Sequence, residues 1–321
     1  MKRIAVMTSG GDAPGMNAAI RAVVRAASAK GLEVFGIRQA YTGLLAGDFE
    51  RLTNREVSGI LQRGGTILQT ARNDEFRTPR GQQRGLRRLN EQGIEGLVCI
   101  GGDGSLRGAM ALHSLGVKVV GIPGSIDNDI WGTNMSIGVD TALNTILDAI
   151  DRLRDTATSH ERAFLIEVMG RNCGYLALIG GMIGGAELTV IPEQAMSLEE
   201  IAKRLEDAYL RGKNHAIAVI AEGSQPGINE ISKFLEEHKV GFEVRLTILG
   251  HTQRGGSPTA FDRLLASRMG IKAVELMTEG QSGVMVGLDG RHIVPVPLED
   301  VTTKHRAVNL DYYEMAEILS R

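Results

Sequence analysis

Residues 122–130, IPGSIDNDI, place two carboxylates, Asp127 and Asp129, two positions apart, just after an apolar run and behind the small residues Gly124 and Ser125. If the segment stays extended, alternation turns both acids to one face and Asn128 to the other, so that both address one ligand. Such a pair suits proton abstraction beside a charged substrate or a metal ion. By itself, a cluster of Asp, Asn, Gly and Ser is most often a solvated turn, and both readings stand until the rest of the chain is considered.

Other polar residues gather at glycines: TSGGD at 8–12, GGDGS at 101–105, GRN at 170–172, EG at 222–223 and GHTQRGG at 250–256. Bare backbone N–H groups at a strand-to-helix turn bind anions well, and phosphate is their commonest guest. Asp103, set among three glycines, can hold Mg2+ directly or through water. Neither the G-x-x-x-x-G-K-[ST] nor the G-x-G-x-x-G fingerprint is present at this turn. Arg72 and Arg171, each beside glycines or a strand end, can clamp a phosphate or pair with a surface acid. Arg21 and Arg25, four apart, share one helix flank, for which a solvated face is the ordinary explanation.

These residues need elements to hold them. Short apolar runs at 4–7, 34–37, 97–100, 117–122, 164–169, 188–191, 216–221 and 243–249 alternate with segments of helical period. Among the latter, Ile20, Val23, Val24 and Ala27 precede Gly31, Val139 to Leu153 keep one apolar stripe, and Ser197-x-x-Glu200 forms a capping box. Residues 41–49 read as loop, Arg152 and Arg154 fall near the end of their helix, and residues 284–296 read as a β-hairpin turning at Asp289-Gly290. The repeated order argues for an α/β fold with mostly parallel sheets. Ligands in such sheets gather beyond the carboxyl ends of the strands, where every polar glycine cluster falls.

A chain of 321 residues is long enough for two domains, and a net charge of -2 gives no electrostatic case for nucleic acid or a membrane surface. The apolar run after Met1-Lys2-Arg3 is too short for a signal segment, and no run approaches the ~18 apolar residues of a membrane span, so a cytoplasmic protein is expected. Cys99 and Cys173 lack metal-ligand spacing and are expected to be buried, reduced thiols.

Taken together, TSGGDAPGMN at 8–17, GGDGS at 101–105, PGSIDND at 123–129, MGRNCG at 169–174, AEG at 221–223 and LGHTQRGGSP at 249–258 resemble the bacterial-type ATP-dependent 6-phosphofructokinases, in order and over nearly the whole chain. The resemblance implies two three-layer α/β domains: a larger, ATP-binding one from 1–138 and 251–301, and a smaller, substrate-binding one from 139–250 and 302–321. It implies transfer of the ATP γ-phosphoryl to the 1-hydroxyl of fructose 6-phosphate, with Asp127 as the proton acceptor, Asp129 tuning charge and metal, and Arg171 and Arg72 neutralising the transferring group. Ser125 stands where the family usually has threonine.

By the same resemblance, Gly11, Arg72, Asn73, Gly102, Gly104 and Ser105 contact the nucleotide, and Asp103 the magnesium. The sugar phosphate falls to Ser125, Ile126, Asp127, Met169, Gly170, Arg171, Glu222, His251, Thr252, Gln253 and Arg254, with Arg162 and Arg245 reaching it from a neighbouring subunit of a homotetramer. Arg21, Arg25, Arg55, Arg154, Gly185, Glu187, Arg211 and Lys213 correspond to an effector site for ADP or GDP and phosphoenolpyruvate. Asn54 and Gly59 replace a frequent arginine and aspartate there, which implies an altered effector response. The rival pyrophosphate-dependent enzymes typically carry Asp and Lys at positions 104 and 124, both glycine here. A non-catalytic sugar-phosphate sensor on the same fold has no chemical need for Asp127, Asp103 and Arg171 together.

Overall fold

The computed structural model describes residues 1–160 and 162–320. It divides into two compact units: Met1–Thr141 with Arg254–Arg306, and Ala142–Gln253 with Ala307–Arg321. The chain thus crosses between units after residues 141, 253 and 306, where the family resemblance implied crossings after 138, 250 and 301. The first crossing lies within the opening turn of a long helix.

In the first unit the order is β1 (Arg3–Ser9), α1 (Met16–Ala29), β2 (Glu33–Ile37), α2 (Ala40–Ala46), β3 (Phe49–Leu52), α3 (Pro79–Glu91), β4 (Gly96–Gly101), α4 (Asp103–Ser114), β5 (Lys118–Pro123) and the start of α5 (Val139–His160). The strands form a seven-stranded sheet in the order β11-β10-β5-β4-β1-β2-β3, completed by β10 (Val284–Asp289) and β11 (His292–Pro297). The five central strands run parallel, and only β3 and β11, at the edges, run antiparallel to their neighbours. Ile4, Ala5, Val6 and Met7 are all fully buried, because helices cover both faces of the sheet. That is why these strands read as continuous apolar runs, each buried Ile or Val contributing roughly 1.5–3 kcal/mol. Residues 40–46 are helix α2 and not loop: the segment lacks a side-chain cap but buries Tyr41, Leu44 and Leu45, so tertiary packing outweighs weak propensity.

The second unit holds the rest of α5, then β6 (Arg162–Val168), α6 (Tyr175–Ile183), β7 (Leu188–Val190), α7 (Leu198–Leu210), β8 (Ala216–Ala221), α8 (Ile228–His238) and β9 (Glu243–Ile248). Its four parallel strands are ordered β7-β8-β6-β9. Ile201 and Leu205 of α7 and Ile231 and Leu235 of α8 pack on one face of the sheet. Ser197 caps α7 by accepting the Glu200 N–H at 3.1 Å, as its spacing suggested. Because α5 continues to His160, Arg152 and Arg154 lie inside the helix and not at its end. After β9 the chain returns to the first unit with α9 (Ala260–Thr278) and, following β11, α10 (Leu298–Thr303); α11 (Asp311–Leu319) belongs to the second. Among the described residues no helix is long and apolar enough to cross a membrane.

Candidate active site

In the first unit the chain runs outward from β1 to β2 and β3, then jumps to β4 and β5 on the other side of β1. Open α/β sheets bind ligands at such a reversal. Register brings the carboxyl ends level, since Ser9 pairs with Gly101 and Gly101 with Pro123. The turns at 10–11, 102–105 and 124–129 therefore leave one edge of the sheet side by side, carrying Gly11, Gly102, Asp103, Gly104, Ser105, Ser125, Ile126, Asp127 and Asp129. A cleft of about 510 Å³, lined by Ile94, Glu95, Val117 and Lys118 among others, opens at the opposite, amino ends of β4 and β5, away from these turns.

The acids do not sit on an extended segment. Asn128 has φ 55, so the backbone reverses between them and alternation does not apply. Asn128 is buried; its Oδ1 accepts the Ser136 N–H at 3.1 Å, which fixes the reversal. Asp127 is 3% exposed and Asp129 half-buried, so this is not a solvated turn. Ser125 Oγ accepts the Asp127 N–H at 3.3 Å, and the Ser125 N–H donates to Ile137 O at 3.2 Å. The hydroxyl at position 125 thus shapes the loop locally.

Asp103 opens α4, and its two oxygens receive Arg107 Nε at 3.1 Å and a terminal guanidinium nitrogen at 3.0 Å. Among the described residues no three His, Cys, Asp or Glu side chains cluster around a metal position. One partly exposed carboxylate on a glycine turn nevertheless fits Mg2+, which is usually held by one or two carboxylates together with substrate phosphates and water.

Arg72 is exposed at the end of the 63–72 loop, which sequence reasoning left without supports. The structure supplies them. Asn17 is buried, with Nδ2 donating to Arg63 O and Gly64 O at 3.0 and 3.1 Å and Oδ1 accepting the Ile67 N–H at 2.8 Å. Thr70 Oγ donates to Gly10 O at 2.7 Å. Asn73 braces the next turn, donating to Thr42 Oγ at 3.2 Å and accepting the Phe76 N–H at 2.9 Å. Arg254, which the resemblance groups with the sugar-phosphate residues, belongs to the first unit and donates to Asp12 O at 3.3 Å. It lies so near the turn at 10–11 that a Cβ on Gly11 would come within 2.3 Å of its guanidinium, so only glycine fits there without displacing it.

In the second unit, Val168 pairs with Ala221 and Glu167 with Ile248, which levels the turns at 169–171, 222–223 and 249–252. Glu222 Oε1 accepts the N–H groups of Gly170 and Arg171 at 3.3 and 2.7 Å, in a turn where φ is 142 and 54 at those two residues. Burial, reinforced by the Glu222 charge, pushes the Glu167 carboxyl above its usual range. Gln253 is fully buried, accepting the Met169 N–H at 3.2 Å and donating to Gly250 O at 3.0 Å, so it acts through those two residues. His251 and Thr252 are exposed beside it. Arg162 Nε donates to Glu243 at 2.7 Å, and Arg245 pairs with the same carboxylate.

The remaining candidates also divide by unit. On α1, Arg21 is half-buried and Arg25 exposed, and Asn54 Nδ2 reaches Ser28 Oγ at 3.4 Å, which sets the turn carrying Arg55 beside that helix. In the second unit Arg154 donates to Gly185 O at 3.0 Å, Lys213 Nζ lies 3.2 Å from Glu187 Oε1, and Arg211 follows α7.

A sequence model of the phosphofructokinase family matches residues 3–277. The chain is 54% identical to an ATP-dependent 6-phosphofructokinase of Natranaerobius thermophilus over 320 residues, covering all of both chains, and 52% identical to that of Thermotoga neapolitana over 321 residues, again covering both. Among solved structures, the phosphofructokinase of Saccharomyces cerevisiae superposes with a TM-score of 0.88 at 36% identity, covering all of this chain and 48% of that one. A pyrophosphate-dependent phosphofructokinase from Marinobacter aquaeolei has the same fold, with a TM-score of 0.88 at 20% identity over 97% of this chain and 86% of that one.

Proposed function

The chain belongs to the phosphofructokinase family, and from that membership we propose that it transfers the γ-phosphoryl group of ATP to the 1-hydroxyl of fructose 6-phosphate, giving fructose 1,6-bisphosphate and ADP in glycolysis. The observation that carries this reading is the level register of β1, β4 and β5, which puts two glycine turns and the Asp127 loop on one edge of one sheet. N–H groups at those turns bind the phosphates of ATP. Asp127 accepts the proton of the attacking hydroxyl, and Asp129 beside it tunes the local charge. Arg72 neutralises charge on the transferring group, and Arg171 in the second unit takes the same role through its family match. Asp103 would hold Mg2+, which supplies charge neutralisation at the nucleotide phosphates when bound.

Two glycines favour ATP over pyrophosphate as donor. A Cβ on Gly104 would meet nothing within 4 Å, so the glycine leaves open space above the turn. A Cβ on Gly124 would lie 3.1 Å from Met16 Cε and 3.4 Å from Ile100 Cγ2, so a lysine at this position must displace core atoms.

The active-site and effector assignments carry further proposals. Glu222, Met169, Gly170, Arg171, His251 and Arg254 bind the sugar phosphate, while Arg162 and Arg245 serve a neighbouring copy in a homotetramer. Support for self-association comes from Leu246 and Ile248, exposed at 41% and 57% on the edge strand β9 that also carries Arg245. Arg21, Arg25, Arg55, Arg154, Gly185, Glu187, Arg211 and Lys213 bind ADP or GDP and phosphoenolpyruvate, and the enzyme works in the cytoplasm.

A coupled assay with ATP, Mg2+ and fructose 6-phosphate, repeated with pyrophosphate, tests the reading. Turnover with pyrophosphate and none with ATP would reverse the donor assignment. Asp127→Ser should fold, still bind fructose 6-phosphate and lose about 10²–10⁴-fold in kcat; retained activity removes Asp127 as the base. Fructose 6-phosphate curves unchanged by ADP and phosphoenolpyruvate would remove the effector assignment.

A further inference from the structure

Helix α5 starts immediately after the loop that carries Asp127 and Asp129, and the residue that closes its amino end is far away in sequence. Asp262, in the first turn of α9, accepts the Gly138 N–H on Oδ1 at 2.9 Å. On Oδ2 it accepts both the Thr141 N–H at 2.9 Å and the Thr141 hydroxyl at 2.6 Å. The favour is returned. Thr259, the cap of α9, donates its hydroxyl to Asp140 Oδ2 at 2.6 Å, and its N–H donates to Thr141 Oγ at 3.1 Å. Each helix thus satisfies the other's orphan first-turn groups, and carboxylates sit where both helix dipoles favour negative charge.

Capping alone does not require this arrangement. A serine or threonine next to the helix in sequence, as at Ser197 and Thr78, caps locally without burying a charge. Asp262 is 0% exposed. Burial pushes its carboxyl above the usual range, Asp140 adds to that, and the donors from Thr141 and Gly138 oppose it. Burying a carboxyl in so dry a place is costly, and three donors from Gly138 and Thr141 offset that cost here.

What the geometry reaches is the catalytic loop. Gly138, held by Asp262, directly follows Ile137, whose N–H donates to Pro123 O at 3.0 Å and whose carbonyl accepts the Ser125 N–H at 3.2 Å. Ser136 Oγ donates to Ser125 O at 2.7 Å. Residues 136–138 therefore close the loop back onto residues 123–125, with Asp127 in the arc between. The same residues seat against the turn before α1: a Cβ on Gly15 would come within 2.7 Å of Ile137 Cγ2, and one on Gly138 within 2.7 Å of Ala13 Cβ. The backbone on either side of Gly138 is thus closely packed, so a shift of Gly138 is passed to Ile137 and to its bond with Ser125.

We infer that Asp262 is a positioning residue for phosphoryl transfer: by anchoring Gly138 and Thr141 at the start of α5, it fixes the loop that aims Asp127. The inference rests on Asp127 as proton acceptor. Asp262→Asn keeps the volume and one acceptor but turns an NH2 toward the donors of either Gly138 or Thr141, which lets the loop's anchor shift. It should lower kcat by about tenfold to a hundredfold while the KM values for ATP and fructose 6-phosphate stay within about threefold. Amide exchange in peptides covering residues 124–138 should speed up by about tenfold, with β4 unchanged. Met269→Ala, a cavity in the buried face of the same helix, should lower thermal stability and leave both readouts alone.

Asp262→Asn with kcat and 124–138 exchange within about twofold of the original overturns the inference. So does a loss that Met269→Ala reproduces. If Asp262→Asn does not fold, Thr141→Val, which removes the hydroxyl bonds to Asp262 and Thr259 but keeps the N–H, decides: a kcat loss of about threefold or more supports the positioning role, and none refutes it. Should the unaltered protein fail to phosphorylate fructose 6-phosphate, the proposed function falls, while the exchange comparison still tests whether Asp262 holds the loop.

Discussion

Tyr41→Phe removes one oxygen from beneath the glycine turn that leads into α4. Tyr41 is 7% exposed, its ring stacks on Phe76 at 4.0 Å between centroids, and its hydroxyl donates to Ser105 O at 2.6 Å. Burial, reinforced by Cys99, pushes the phenol well above its usual range, so the hydroxyl stays a donor at any working pH. Phenylalanine keeps the stack. The Ser105 carbonyl, inside α4, also keeps its helical partner four residues on, so the loss is one net buried hydrogen bond, ~1 kcal/mol. Unfolding should come ~2–4 °C earlier. If that bond also holds the turn in its ATP-binding shape, the same energy appears as an ATP KM raised by at most about fivefold. The fructose 6-phosphate KM, which depends on other residues, should hardly change. A coupled assay varying each substrate separately reads both constants. An unchanged ATP KM beside the expected drop in melting temperature would show that the hydroxyl stabilises the fold without shaping the turn, and an equal rise in both KM values would refute a local effect.

The Glu243 carboxyl is held below its usual range by the Arg162 hydrogen bond and by the charges of Arg162 and Arg245. A depressed value contributes stability above the ordinary Glu range near about 4.3, and that contribution is lost as pH falls through the depressed value. Glu243→Gln should therefore be less stable than the original near neutrality, with the gap closing in acid; a gap independent of pH in denaturation curves would contradict the pairing. Burial pushes the Cys99 thiol up to about 12, and both Cys99 and Cys173 are buried. Mass spectrometry after treatment with a thiol reagent near about pH 8 should find Cys99 unlabelled in the folded protein and labelled in denaturant, whereas rapid native labelling would refute its burial.

What was legible and what was not divide along a physical line. Strands β1, β4 and β5 of the first unit are buried on both faces, so their apolar runs were visible, and the glycines that end them marked the carboxyl edge where the turns gather. Motif order then led to the family. Local reasoning failed wherever a distant residue decides local conformation. Alternation at Asp127 and Asp129 presumed an extended backbone, yet Ser136 holds Asn128 at φ 55 from eight residues away. Helix α2 looked like loop because its stability comes from burying Tyr41 and Leu44, not from caps. Asn17 sat inside a recognised motif, but only the fold shows it gripping residues 63–67. Asp262 lay within an apolar helical pattern, where an acid three residues after the Thr259 of a Ser-Pro-Thr start reads as a routine first-turn charge. Its partners are more than a hundred residues back, at Gly138 and Thr141. A one-dimensional pattern reports what each residue prefers; these four positions are set by which partner another segment brings, and that is the information folding adds.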